Sequence, residues 1–230
     1  MTRPLPCATC SVREQAVCAA LEPQERAELE RIGQYRTLAR GEALVDAGEE
    51  NFACATLIAG ALKIAAIDRD GTERIVALVH PAGFVGELFT PTAQHHVTAL
   101  TDSTLCLFPR RAYADLVERH PRLGLALLRR SGADLAETRA LIDIIGRRGS
   151  LERVAALLLV FARAAAHNPC GLATRFDLPL TRGEMAGLLG LTIETVSRQL
   201  TALERRGLIQ KDGARGMVIL DAPQLEELVR

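Results

Sequence analysis

Three patterns of apolar and polar positions follow one another along the chain. Residues 1–20 have little periodicity, and a helix is predicted from Glu22-Pro23, with Pro23 in its first turn, Arg26, Leu29 and Ile32 along it, and Gly33 at its end. From Tyr35 to about Phe108, short apolar runs (Phe52–Ile58, Leu62–Ile67, Ile75–Val79 and Thr104–Phe108) alternate with glycines at 41, 48, 60, 71, 83 and 86. Regularly spaced short strands with Gly-rich turns predict an all-β sandwich or barrel, and Asp70-Gly71 suits a hairpin. Pro109 stops the last strand. After Tyr113–Glu118 and the break at His120-Pro121, a helix without proline is predicted from Arg122 to about Arg147. Ser150 is predicted to cap a further helix, Leu151–Ala166, ended by Asn168-Pro169.

In the long helix Leu128, Leu135 and Ile142 recur every seven residues, and Thr138 and Ile145 extend the pattern toward an a/d seam. Such a seam predicts pairing with a second copy of the helix. Ser131 and Thr138 interrupt it, so the pairing should be of modest strength and open to switching. A helix packed only on its own domain is the alternative.

The C-terminal part carries the most specific local pattern. Thr181-Arg-Gly-Glu184 is a capping box, Met185, Leu188 and Leu189 give a short helix its apolar side, and Gly190-Leu191 makes a turn. Thr192 caps the next helix, Ile193 to about Arg206, on which Ile193, Val196, Leu200 and Leu203 share one face. Glu194, Ser197, Arg198 and Thr201 are left facing out. A helix-turn-helix of this kind sets the start of its second helix in the DNA major groove. Arg198 can donate twice to guanine, Glu194 can accept from cytosine, and Ser197 can bond a base edge or a phosphate. Thr181, Thr192 and Thr195 lie at the same helix starts. Leu208–Gln210 and Met217–Leu220 read as strands of a wing, with Lys211 and Arg215 placed near its tip to touch phosphate. The competing reading is an α/β tail with an exposed charged face.

Composition narrows the classes. The 230 residues are 48% hydrophobic but only 3% aromatic, so aliphatic side chains must fill the core. Net charge is zero, yet from Arg147 onward there are 12 Lys/Arg against 9 Asp/Glu, leaving 16 against 19 before it. A mildly basic C-terminal part agrees weakly with a polyanionic partner. No apolar run approaches a membrane span, and Arg3, Pro4, Pro6 and Arg13 interrupt any N-terminal signal core, so a cytoplasmic protein with no membrane partner is expected. Thiols stay reduced there, and six cysteines then favour metal or redox chemistry over disulfides.

Three of those cysteines are crowded into Cys7-x2-Cys10-x7-Cys18. The Cys7/Cys10 pair is a chelating turn, Cys18 can fold back to it, and a fourth ligand would come from Cys54, Cys106 or Cys170. Alternation puts Leu105 and Leu107 on one face of their strand and Cys106 on the other. An Fe–S cluster, a zinc ion and a thiol switch all remain open on these residues. No nucleophile–base constellation or phosphate loop appears, so an enzyme is not expected.

A β sandwich, a long helix and a winged helix-turn-helix in this order, with the stretch Leu180–Arg198, resemble the CRP/FNR superfamily of bacterial transcription factors. The resemblance covers nearly the whole chain. It implies an α+β fold: a cyclic-nucleotide-binding-like β jelly roll, a long dimerisation helix and a C-terminal winged helix-turn-helix. The parts expected are a cluster-binding segment at 1–20, a sensor sandwich at 21–120, the dimer helix at 121–148 and the DNA-binding domain at 149–230. Glu194-x-x-Ser197-Arg198 is similar to the reading set of the FNR branch, which implies a palindromic double-stranded site with half-sites like TTGAT, a homodimer, and RNA polymerase as a partner. Cys7, Cys10, Cys18 and Cys106 match the branch's ligands for an oxygen-labile [4Fe–4S] cluster, and hence a role in oxygen sensing. Of the superfamily's cyclic-nucleotide pocket only Gly86-Glu87 is present: Phe89–Thr98 holds no arginine for the phosphate. Haem at His80, His95 or His96 finds no aromatic-lined pocket in its support.

Overall fold

The computed structural model describes residues 7–166, 171–213 and 215–230. Asn168, Pro169, Cys170 and the wing-tip residue Ala214 lie outside the described residues. The chain divides into two compact units, Met1–Glu137 and Thr138–Arg230, and the boundary falls inside one long helix.

In the first unit, single 3-10 turns at Cys7–Thr9 and Val17–Ala20 precede helix α1 (Pro23–Ile32). The segment of little periodicity is nevertheless packed: Val12, Ala16, Val17 and Leu21 are buried and fasten it to the body. Val12/Ala16 and Val17/Leu21 are each four residues apart, but two such pairs in a segment broken by turns are too few to register as a helical period. A reciprocal Glu22/Glu25 capping box starts α1, and Gly33 ends it as expected.

Eight strands follow: β1 (Gln34–Leu38), β2 (Ala43–Val45), β3 (Ala53–Ala59), β4 (Leu62–Ile67), β5 (Glu73–Val79), β6 (Phe84–Val85), β7 (His96–Ala99) and β8 (Ser103–Pro109). They form two antiparallel four-stranded sheets, ordered β1-β8-β3-β6 and β2-β7-β4-β5. The four apolar runs seen in the sequence are β3, β4, β5 and β8. The remaining four strands are too short or too polar to stand out. Leu38, Ala55, Leu57, Val85 and Leu105 from the first sheet meet Leu62, Val79, Val97 and Ala99 from the second in a shared core. Gly86 at φ +124° is forced: a Cβ there would lie 2.6 Å from the Cβ of Cys54. Close packing of β3 therefore accounts for this glycine without any ligand.

The strand carrying Cys106 does not run straight into the long helix. Helix α2 (Arg110–Arg119) intervenes, then α3 (Pro121–Gly146). Leu123 is buried early in α3 and Leu141 and Ile144 near its end.

The second unit holds α4 (Ser150–Ala164), β9 (Arg175–Asp177), α5 (Arg182–Leu189), α6 (Ile193–Arg205), β10 (Ile209–Asp212), β11 (Gly216–Ile219) and α7 (Ala222–Glu227). Gly149, not Ser150, is the residue capping α4. Ser150 lies one position inside, where its hydroxyl accepts from Gln199 Nε2 of α6 at 2.9 Å. The wing is a three-stranded sheet, β10-β11-β9, because Arg175–Asp177 pairs with β11. That strand is three residues long with one buried side chain, too little for a sequence signal. Among the described residues no helix is long and apolar enough to cross a membrane.

Candidate functional site

Register explains why Cys106 faces where it does. In the sheet it sits opposite Tyr35 on β1 and Thr56 on β3. Its neighbours Leu105 and Leu107 belong to the inter-sheet core, whereas Cys106 and Phe108 belong to the cluster on the outer face, as alternation predicts. Val12, Ala16, Val17 and Leu21 cover that face, and with them come the other thiols. One cavity is lined by Cys7, Cys10, Cys18 and Cys106 together with Arg26 and Tyr113. Cys7, Cys10 and Cys106 also border an adjoining cavity of about 180 Å³. Cys54, although in the same apolar cluster, does not line either cavity; its thiol points to the carbonyl of Phe108 at 3.8 Å.

The surroundings are mostly apolar, with Cys106 buried and Cys7, Cys10 and Cys18 half-buried. Burial pushes the Cys7 thiol up to about 11, with Glu30, Cys18 and Cys10 adding to the rise and Arg26 opposing it. Burial likewise raises Cys18, with Cys10 adding and Arg26 opposing. Cys106 is raised further, by burial and then by Cys10, Cys7 and Cys18. Burial alone pushes Cys54 up to about 12. Cys7, Cys18 and Cys106 thus each respond to the charge of neighbouring thiols.

Among the described residues no three Cys, His, Asp or Glu side chains close on a common point tightly enough for a metal ion. The thiols instead stand around a cavity. Four sulfur donors beside a cation and a buried hydroxyl are the donor chemistry that an iron–sulfur cluster takes.

The sandwich holds a second cavity, of about 260 Å³, lined among others by Arg36, Asn51, Glu87 and His95. Glu87 accepts from the Thr90 hydroxyl at 2.7 Å, and Arg36 pairs with Glu42 at 3.5 Å. His96 is spoken for by Asp46 at 2.9 Å. His80 is held down to about 4 by burial and then by the nearby Arg130 charge.

In the second unit the helix-turn-helix follows the sequence closely. Thr181 Oγ1 accepts from the Glu184 N–H at 3.1 Å and the Glu184 carboxylate accepts from the Thr181 N–H at 2.7 Å. Gly190 takes the left-handed conformation, φ +61° and ψ +42°, that turns the chain between α5 and α6. Thr192 caps α6 by accepting from the Thr195 N–H at 3.2 Å. Val196, Leu200 and Leu203 are buried, but Ile193 is 52% exposed. The face is therefore narrower than expected, because the first turn of α6 projects beyond the core. Glu194 and Arg198 are exposed and Ser197 half-buried. Arg198 donates to Thr195 Oγ1 at 3.3 Å, and Thr195 shares a hydrogen bond with Thr192 at 3.1 Å. Hydrogen bonds from its own backbone and from Thr192 hold Glu194 below the usual carboxylate range. Lys211 does not reach a wing tip: it lies in β10, its ammonium 2.7 Å from Glu204. Arg215 is exposed.

On α3, Leu128, Leu135, Ile142 and Ile145 are exposed, Leu128 by 69%, and Thr138 is half-buried. Leu125, one helical turn before Leu128, continues this apolar stripe at 49% exposure. Arg26, Tyr113 and Leu125 were not singled out from sequence as functional residues. Nothing local marks the first two, and Leu125 is visible only by extending the seam one step back.

The model of the Crp-like helix-turn-helix domain matches residues 152–228, and that of the cyclic nucleotide-binding domain residues 35–120. The transcriptional activator protein FnrL of Cereibacter sphaeroides is 36% identical over 225 residues, covering 96% of this chain and 90% of that protein. The chain belongs to the CRP/FNR family. Its fold is that of the family, and it is a DNA-binding transcription regulator, not an enzyme. Another relative, the nitrogen fixation regulation protein FixK of Bradyrhizobium diazoefficiens, is 30% identical over 222 residues, covering 96% and 93%. The solved structure of FixK2 from Bradyrhizobium japonicum superposes with a TM-score of 0.78 at 25% identity, over 86% of this chain and 98% of that one. CRP/FNR membership leaves the effector open, and the cysteine cavity is where this chain differs from a plain sandwich.

Proposed function

We propose that this regulator is an oxygen-responsive, cytoplasmic homodimer, an activator that works with RNA polymerase at a palindromic site with half-sites like TTGAT. The thiols of Cys7, Cys10, Cys18 and Cys106 hold a [4Fe–4S] cluster in this reading. Convergence of these four thiols, and not Cys54, on one cavity is the observation that carries it. When bound, the cluster supplies thiolate links between the N-terminal segment and β8 that oxygen can remove.

The remaining steps belong to the chain. Apolar anchors Val12, Ala16, Val17 and Leu21 hold the segment on the sheet, and the thiolate links add a covalent tie to them. β8 passes directly into α2 and then α3, so tying β8 restrains the start of α3. Leu128, Leu135 and Ile142 then pair with the same residues of a second copy. Moving such a balance from mostly monomer to mostly dimer takes about 5 kcal/mol. Dimerisation brings two α6 helices to one palindrome, where Arg198, Glu194 and Ser197 read base edges. Thr181, Thr192, Thr195 and Arg215 contact the backbone, and Lys211 adds positive charge from beside Glu204.

Anaerobic incubation of the full chain with ferrous iron and sulfide tests the reading. Broad visible absorbance with stoichiometric labile sulfide is expected, lost in Cys106→Ser and kept in Cys54→Ser and Cys170→Ser. A colourless product, or bound zinc in place of iron and sulfide, would overturn it.

A further inference from the structure

Two hydrogen-bond donors at the cysteine cavity have no acceptor among the described residues. One is Nε of Arg26 and the other the hydroxyl of Tyr113, and both atoms are buried. Tyr113 is 0% exposed, and its ring is wedged between Phe84 and Phe108, with centroids 5.4 and 5.2 Å away. That packing leaves the hydroxyl little freedom to find an acceptor elsewhere. The Arg26 guanidinium is anchored by its Nη2, which donates to the Leu21 carbonyl at 2.9 Å. Both side chains line the same cavity as the four thiols, and they come from different elements, α1 and α2. A buried donor left unpaired is costly, and two of them around one cavity call for an acceptor-rich, anionic occupant.

We propose that Arg26 and Tyr113 are positioning residues that hydrogen-bond the sulfur of the thiolate-held group, Arg26 offsetting its negative charge and Tyr113 fastening it to α2. This rests on the cluster reading above. Thiolate and sulfide sulfur accept such bonds, and hydrogen bonding to sulfur is a means by which a protein sets the stability and potential of a cluster. Tyr113 has a further consequence: it gives the occupied site a hold on α2, the element that leads into α3, separate from the hold through β8.

The test uses the full chain, anaerobically reconstituted with ferrous iron and sulfide, in Tyr113→Phe, Arg26→Leu and Arg26→Lys forms. Iron loss to a ferrous chelator should be faster by on the order of tenfold in Tyr113→Phe and Arg26→Leu. Arg26→Lys should fall between Arg26→Leu and the parent chain, and the midpoint potential should drop in Arg26→Leu because a cation near the anionic group is gone. Without iron, Tyr113→Phe should unfold at the same or a higher denaturant concentration than the parent, since it removes a buried hydroxyl that had no acceptor. Parent-like iron retention and potential in both Tyr113→Phe and Arg26→Leu would overturn the inference while leaving the cluster reading intact. A Tyr113→Phe chain equally weakened with and without iron would also overturn it, marking the hydroxyl as structural. Failure of the parent chain itself to take up iron and sulfide would overturn the cluster reading, and this inference with it.

Discussion

Arg198 stands exposed on the second turn of α6, steadied by its donation to Thr195, with its remaining donors free to extend outward. If it reads guanine, Arg198→Ala should weaken binding to a matching half-site by about 1–3 kcal/mol and relax discrimination at that base pair. Titrations of matched and randomised duplexes at one salt concentration check this; equal loss on both would identify a phosphate contact instead. The sequence shows Arg198 plainly, because a cap, a turn and a helical face all fix its position locally. Lys211 looked equally free in sequence, yet Glu204 holds it, and that partner comes from a different element. Cys106 lies between these cases. Alternation within β8 says which way it points, but only the arrival of the N-terminal segment on that face says what it meets.

At the scale of elements, α3 sets the main question. A stripe of Leu125, Leu128, Leu135, Ile142 and Ile145 left exposed along 26 residues of helix is an unusual amount of apolar side chain to leave in water. Leu135→Glu should raise the dimer dissociation constant by on the order of tenfold, each such factor being about 1.4 kcal/mol. It should leave the unfolding of the isolated chain within about 0.5 kcal/mol, as expected for an exposed position. Sedimentation and chemical denaturation read the two effects separately, and an unchanged dissociation constant would remove α3 as the seam. Recognition of α3 from sequence was straightforward since its period of seven survives without tertiary context. The short strands β2, β6, β7 and β9 were not recognisable, because two to four residues cannot display a period, and their hydrogen-bond partners lie far along the chain.

At the scale of the whole molecule, the first of the two compact units contains a pH-sensitive element. His80, beyond the end of β5, is held near 4 by burial and then by Arg130 on α3, against about 6.5 for a free imidazole. The folded chain therefore refuses a proton that the unfolded chain accepts. Stability should fall as pH drops from about 6.5 toward 4, by about 2 kcal/mol at pH 5, with no further loss from this group below its folded value. Urea unfolding of the parent and of His80→Gln at pH 7 and pH 5 tests this. The variant should show a smaller drop, and parallel drops would assign the effect to other groups.

The amino-acid sequence alone determined the order of parts, the register of the helix-turn-helix, the seven-residue apolar repeat on α3 and the crowding of Cys7, Cys10 and Cys18. All of these are written in neighbours a few residues apart, where side-chain period, caps and turn residues act directly on the backbone. Tertiary structure decided which cysteines line one cavity, that Ile193 projects from the core, that Lys211 is paired, and that Arg26 and Tyr113 line the cavity of the thiols. These depend on contacts between different elements, from Lys211 on its strand with Glu204 on α6 to Cys106 with the N-terminal thiols, where packing and burial choose partners that no local pattern specifies.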